Sequence, residues 1–468
     1  MFSRFSMEVE LSEMHSRLPH LPHKSATPAA GSTNEGRQID YVETNAAAES
    51  EQPSRAQSTT FPAVTPAMKI KARIQFATLC WSHFMAGWND GTTGPLLPRI
   101  QSVYHVGFAV VSLIFVFNCI GFVAGAAANV WLTDRLGFGK VMVIGALVQV
   151  VGYSLAAPAP PFPVFILGYA INGFGLSLQD ASANGFVASL KDNASTKMGI
   201  LHAIYGMFLS LGALSSPLVA TQFSQITHWS FHYLVSLGIA LSNVTLLTAV
   251  FRFKDQETCL TEIGQTPSHE EQSTTNSKYS QIFGLRALHL LAFFILIYVG
   301  VEVTLGGWIV TYVIQLRGGG PSSGYISSGF FGGITLGRIG LLWVNQKIGE
   351  QRAIYVYATL AIALELVIWL VPSLIGGGIA VSFVGVLLGP IYPIVMNHAA
   401  RVLPPWILTG CIGWIAGFGQ AGSALLPFLT GALASRVGIK SLQPLLVSMM
   451  GFMVFLWALV PRASRRVD

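Results

Sequence analysis

The chain has 468 residues, of which 52% are hydrophobic and 10% charged, and its formal net charge is +6. No soluble protein of this length needs that balance, so the long apolar blocks place the chain among membrane proteins. Its Lys and Arg residues fall between apolar blocks rather than along one face, which argues against a nucleic-acid partner and marks the excess charge as topological.

Residues 1–68 are rich in Ser, Thr, Ala, Glu and Pro and lack the order of a secretion signal, so they read as a disordered cytosolic tail. A bilayer span needs about 20 mostly apolar residues. That ruler places spans at 74–97, 107–132, 141–156, 163–190, 199–222 and 231–250. A polar interval follows, carrying Lys254, Asp255, Glu257, Glu262, Glu270 and Glu271, and reads as a hydrated linker. Six more spans fall at 288–314, 322–344, 354–371, 375–399, 408–432 and 442–460. The expected fold is an all-α membrane protein with twelve transmembrane helices in two six-helix bundles. Its parts are the tail (1–68), a first bundle (69–252), a cytosolic linker (253–283), a second bundle (284–461) and a short cytosolic tail (462–468).

Basic residues collect on the retained side of a membrane. Lys69, Lys71, Arg73, Arg135, Lys140, Arg252, Lys254, Lys347 and Arg352 fall on one side of this topology, against Arg99, Arg317, Arg436 and Lys440 on the other. Both termini are therefore expected in the cytosol. Cys80, Cys119, Cys259 and Cys411 show no metal-ligand spacing and read as packing residues.

Asp90 and Glu302, 212 residues apart, both stand inside apolar runs. A carboxylate at mid-bilayer costs about 2.5 to 3.5 kcal/mol even on lenient scales, so it normally faces a polar cavity and a function. The same offset aligns Trp131-Leu132-Thr133-Asp134-Arg135-Leu136-Gly137-Phe138-Gly139-Lys140 with Trp343-Val344-Asn345-Gln346-Lys347-Ile348-Gly349-Glu350-Gln351-Arg352. Two matches at one offset indicate internal duplication, with two units inserted in the same sense.

Asp134-Arg135-Leu136-Gly137-Phe138-Gly139-Lys140, between the second and third spans, resembles the cytosolic loop motif of the major facilitator superfamily. Val130 stands where that motif usually begins with Gly, and the second copy has Gln346 in place of the acid. Trp88-Asn89-Asp90 and Gly175-Leu176-Ser177-Leu178-Gln179-Asp180 are similar to the fucose/galactose/glucose proton symporter group and its fungal relatives, with Asp180 where the group usually has Glu. The resemblance implies proton coupling through Asp90, Asp180 and Glu302. It also implies that Asp134, with Arg135 and Lys140, forms a gating latch against the start of the eleventh helix.

Each candidate also has a plainer reading. Asp90 and Glu302 bind protons, or pair structurally with Arg338, the one basic residue inside an apolar run. Asp180 works with protons, or pairs with a basic loop residue. Asn89, Gln179, Asn184, His202, Asn397 and Gln420 supply the hydrogen bonds that sugar hydroxyls need, or join helices to one another. Trp88, Trp308 and Trp414 offer rings for stacking, Trp414 being the one retained as a substrate residue, or fill packing and interfacial roles. Gly206 and Gly212, and Gly410, Gly413, Gly417 and Gly422, recur near helical spacing and let helices approach.

These readings converge on a secondary transporter that moves a sugar or sugar-like solute by alternating access with protons. It is not an enzyme, needs no cofactor or metal, and acts as a monomer in the plasma or vacuolar membrane. A proton-antiport exporter of a metabolite or drug is the alternative, and a non-transporting sensor the third reading.

Overall fold

The computed structural model describes residues 65–190, 194–265, 281, 283–404 and 407–461, with backbone alone at 188, 194–206 and 409. The expected tails, apart from residues 65–68, and the linker residues 266–280 and 282 lie outside the described residues. Among the described residues the regular structure is entirely helical.

α1 spans Pro66–Tyr104, well beyond the expected 74–97. Its start is chemically marked: Thr65 Oγ1 accepts from the Met68 amide at 3.3 Å, and Pro66 occupies the first turn, where no amide hydrogen is needed. It runs on through Pro95 and Pro98 and ends at His105, which adopts a left-handed conformation. α2 (Leu113–Leu136) follows a one-turn helix, Phe108–Val111, from which it is separated at Ser112. α3 (Phe138–Ala156), α4 (Phe162–Ala188), α5 (Ala194–Ser224) and α6 (His232–Phe251) complete the first half. The second half holds α7 (Arg286–Leu316), α8 (Gly324–Gly340), α9 (Glu350–Leu370), α10 (Leu374–Leu388), α11 (Leu408–Val437) and α12 (Leu442–Leu459). Two of these continue after a break: α8 into Leu342–Ile348, and α10 into Ile391–Val402 past Gly389-Pro390, where proline lacks the amide that would carry the helix through.

Nine helical segments among the described residues are long and apolar enough to cross a bilayer. α1, α5 and α8 fall outside that set; they pack on one another and carry Gly, Ser and Thr there. A helix face turned to protein rather than lipid needs little hydropathy.

Helix pairing repeats between the halves. α1 lies along α5 as α7 lies along α11, α2 along α4 as α8 along α10, and α3 along α6 as α9 along α12. Glycine sets the closest approaches. A Cβ on Gly212 of α5 would sit 2.1 Å from the Phe84 carbonyl oxygen of α1, and one on Gly422 of α11 would sit 2.0 Å from the Leu296 carbonyl of α7. Phe84 and Leu296 are again 212 residues apart. Gly413 and Gly417, expected to share this role, face open space instead.

The interval after α6 is not simply a hydrated linker. A short helix, Gln256–Thr261, buries Cys259 and Leu260 against the first half. The Gln75 amide donates to the Cys259 carbonyl at 3.4 Å, Gln256 donates to Ser189 Oγ at 3.1 Å, and Lys71 pairs with Glu262 at 2.8 Å. Lys254 also bonds Glu262. Hydrogen bonds from Lys254 and Lys71 hold the Glu262 carboxyl below its ordinary range. Burial pushes the Cys259 thiol up to about 11, as suits a packing residue. These contacts gather the start of α1 and the ends of α4 and α6 on one face of the protein, here the linker face.

Contacts between the halves concentrate on the opposite face. A Cβ on Gly94 of α1 would sit 2.1 Å from the Gly306 carbonyl oxygen of α7, and one on Gly324 of α8 would sit 2.2 Å from Thr221 Oγ1 of α5. The Ala109 amide donates to Ser435 Oγ of α11 at 2.8 Å, and Gln222 bonds Tyr325.

Candidate functional site

Asp90 lies near the middle of α1, exposed although Gly87, Trp88, Asn89 and residues 91–97 around it are buried. Glu302 of α7 and Asp180 of α4 both lie within electrostatic range of it. The three expected coupling acids thus converge from three helices. Arg338 of α8 joins them: Tyr298 is within hydrogen-bonding reach of both Glu302 and Arg338, and its hydroxyl donates to the Leu388 carbonyl at 3.1 Å. Arg338 Nη1 donates to Ser210 Oγ of α5 at 2.6 Å, a bond that crosses between the halves. Tyr392, just after the α10 break, is within electrostatic range of Asp180, Arg338 and Glu302.

Among the described residues, Asp180 meets a histidine of α1. Its Oδ1 is 3.0 Å from His83 Nε2, on α1 two turns before Asp90, and Asn184 is also within hydrogen-bonding reach. His83 belongs to the site and was missed from sequence, since one histidine in an apolar run reads as a core residue. The only sequence clue was its spacing: seven residues, about two helical turns, put His83 and Asp90 on the same side of α1.

The expected substrate residues divide. Asn89 is buried beside Asp90, and its Oδ1 accepts from the Tyr153 hydroxyl at 3.3 Å. Asn184 stands one turn from Asp180. Gln420, partly buried on α11, accepts from Ser423 Oγ at 3.4 Å, and its carbonyl meets Cys119 Sγ of α2 at 3.5 Å. Asn397 is exposed on the helix after the α10 break. Gln179 is committed elsewhere: its Oε1 accepts from Gln149 and from Asn243, each at 3.2 Å, and its Nε2 donates to the Met142 carbonyl at 3.2 Å. That amide ties α3, α4 and α6 together. The His202 side chain lies outside the described residues.

The three candidate tryptophans pack rather than face the acids. Trp88 stacks on His232 with ring centroids 5.5 Å apart and donates to Ser236 Oγ at 2.8 Å. Trp308 is fully buried and donates to the Pro427 carbonyl at 3.0 Å. Trp414 meets Phe283, His289 and Phe418 near the start of α7. His289 and Glu302 are 13 residues apart on that helix, about 20 Å along its axis.

Asp134 is exposed at the linker-face end of α2 and forms no ion pair among the described residues. Arg135 lies over the Trp131 ring at 4.7 Å, and Lys347 lies over the Trp343 ring at 3.9 Å in the other half. Both pairs sit at a helix end, where an exposed tryptophan suits the membrane interface. Lys140 is exposed at the start of α3. The Gly139 amide donates to the Lys254 carbonyl at 2.9 Å, so the loop carrying this motif is seated on the linker.

Away from the central cluster, Glu365 of α9 is fully buried, with neither oxygen in hydrogen-bond geometry and the Gln443 amide of α12 as its polar neighbour.

An acid cluster in the middle of a two-fold repeated helical membrane protein fits the architecture of a transporter. The chain belongs to the Major Facilitator Superfamily, whose family model matches residues 79–405. It is an integral membrane protein of a family of transporters, not of enzymes. It is 26% identical over 402 residues to "Bypass of stop codon protein 6" of Saccharomyces cerevisiae, covering 80% of each chain. It is 23% identical over 378 residues to the glucose/galactose transporter of Brucella abortus, covering 76% of this chain and 86% of that one. Among solved structures, the fucose:proton symporter of E. coli superposes with a TM-score of 0.59 at 17% identity, covering 83% of this chain and 99% of that chain.

Proposed function

We propose that the chain is a proton-coupled symporter for a sugar or sugar-like solute, built from twelve spans in two six-helix bundles that rock about a midplane site. The observation that carries this reading is Asp90, exposed at mid-helix among buried neighbours with Asp180 and Glu302 in electrostatic range. Unneutralised carboxylates there resist passage through a low-dielectric closed state, so loading a proton lowers the barrier to the conformational change. Asn89 and Asn184 supply amide groups for hydroxyls beside that cluster, and the relatives named as sugar transporters supply the substrate class.

Seals at the face opposite the linker, with Asp90 exposed, describe a protein open toward the linker face. That face is read as cytosolic from its basic residues, which puts both termini in the cytosol of a plasma or vacuolar membrane protein. The test is accumulation of labelled glucose, galactose and fucose in proteoliposomes under an inward proton gradient, alongside counterflow without one. Accumulation that a protonophore collapses is the expected result. Failure of counterflow for every sugar in a folded preparation overturns the substrate class.

A further inference from the structure

We propose that His83 and Asp180 bind a single proton between them, which makes His83 a proton-coupling residue of the transport site. The inference deepens the symport reading and, in its coupling role, rests on it.

The argument is one of hydrogen-bond direction. His83 Nδ1 lies 3.1 Å from the Leu79 carbonyl oxygen. A carbonyl only accepts, so Nδ1 carries a hydrogen. The other ring nitrogen, Nε2, lies 3.0 Å from Asp180 Oδ1. Two arrangements satisfy that contact, an imidazolium donating to a carboxylate or a carboxylic acid donating to a neutral imidazole, and both contain one titratable proton. When that proton leaves, no covalent bond other than the N–H or O–H breaks, and the pair loses one positive charge. A nitrogen lone pair then faces a carboxylate oxygen at hydrogen-bond distance, which is repulsive, and the contact between α1 and α4 cannot hold in this form.

Exposure gives the proton its direction. The His83 side chain is 4% exposed and the Asp180 side chain 38% exposed, so exchange with water runs through Asp180. Among the described residues, Asp90 on α1 and Tyr392 after α10 lie within electrostatic range of Asp180, with the Asn184 amide on α4 in hydrogen-bonding reach, while Glu302 on α7 and Arg338 on α8 lie within range of Tyr392. Release of the proton frees an Asp180 oxygen to turn toward the cavity, where a solute hydroxyl can take the place of the imidazole. Proton and solute occupancy are thereby linked at one side chain.

The full-length protein, labelled with 15N-histidine and 13C-aspartate, is titrated by NMR between about pH 5 and 9. His83→Gln assigns the ring signals, and Asp180→Asn and Asp180→Glu probe the partner. The expected result is an Nδ1 protonated throughout and one common midpoint for Nε2 and the Asp180 carboxyl. That common transition is lost in Asp180→Asn and kept in Asp180→Glu. Separate midpoints, an unprotonated Nδ1, or a His83 signal indifferent to Asp180→Asn overturns the shared proton. The titration needs no substrate, so it stands apart from the transport assay. A shared midpoint in a protein that moves no sugar keeps the pair and removes the symport reading, whereas sugar accumulation with separate midpoints keeps symport and removes the pair. In transport, His83→Gln is expected to lose the pH dependence of gradient-driven accumulation; retained pH dependence with normal folding removes His83 from coupling.

Discussion

Gly137 and Gly349 stand 212 residues apart and share a left-handed backbone, with φ of 85° and 86°. Each turns the chain between a helix ending at the linker face and the next beginning there. Their surroundings differ. A Cβ on Gly137 would sit 2.1 Å from Asp255 Oδ1, whereas one on Gly349 meets nothing within 4 Å. Alanine at either position bears the conformational cost of a positive φ, about 1 kcal/mol or more. Gly137→Ala also displaces the linker. Thermal unfolding of both purified variants should show the larger loss at 137, and equal losses would mean that the linker contact contributes nothing.

Asp90→Asn keeps size and hydrogen bonding and removes the titratable proton. Accumulation driven by a proton gradient should fall to background while counterflow persists, because exchange of bound solute does not require the charge to be neutralised. A folded Asp90→Asn protein that still concentrates its solute moves coupling onto Asp180 and Glu302.

Glu262 sets a pH dependence of stability. Lys254 and Lys71 lower its folded pKa below the ordinary value of 4.5, so the stabilisation is fully present above that value. It is lost as pH falls through the depressed folded value. The groups are partly exposed, and solvent screening keeps the effect below about 1 kcal/mol. Glu262→Gln should lower the melting temperature slightly at neutral pH and flatten its fall on acidification. An unchanged acid slope would assign that fall to other carboxyls.

Asp134→Asn should slow transport while leaving solute affinity near its starting value, since the residue lies at a helix end remote from the acid cluster. The comparison is transport rate against binding on the same preparation. Weakened binding at an unchanged rate would place Asp134 outside the gating step.

Glu365→Gln preserves shape and the amide contact with Gln443 while removing a buried ionisable group. Its melting temperature should match or exceed that of the unaltered chain. Severe loss of folded protein would show that the carboxyl makes an interaction an amide cannot replace.

The acids were legible in the sequence because charge inside an apolar run is rare and costly, and a common offset tied two of them together. The Asp134 loop was legible through its spacing of glycine and basic residues. What escaped depends on contacts between distant parts of the chain. His83 and Asp180 are separated by 97 residues and Arg338 and Ser210 by 128, and neither pairing leaves a periodic trace. Gln179 looked available because its three partners lie on other helices. The Gln256–Thr261 helix is too short for its own periodicity to show, and it gains order from Lys71 and Gln75, far earlier in the chain.

The meeting of Gly94 with Gly306 has an evolutionary corollary. Main chain from one half touches main chain from the other there, and Ala109 adds an amide to the Ser435 hydroxyl nearby. The approach of Gly94 to Gly306 leaves no room for an added atom at Gly94. Selection therefore has little freedom at Gly94, whatever it changes elsewhere in the two halves. Relatives that carry different solutes should still agree on a glycine at the position of Gly94.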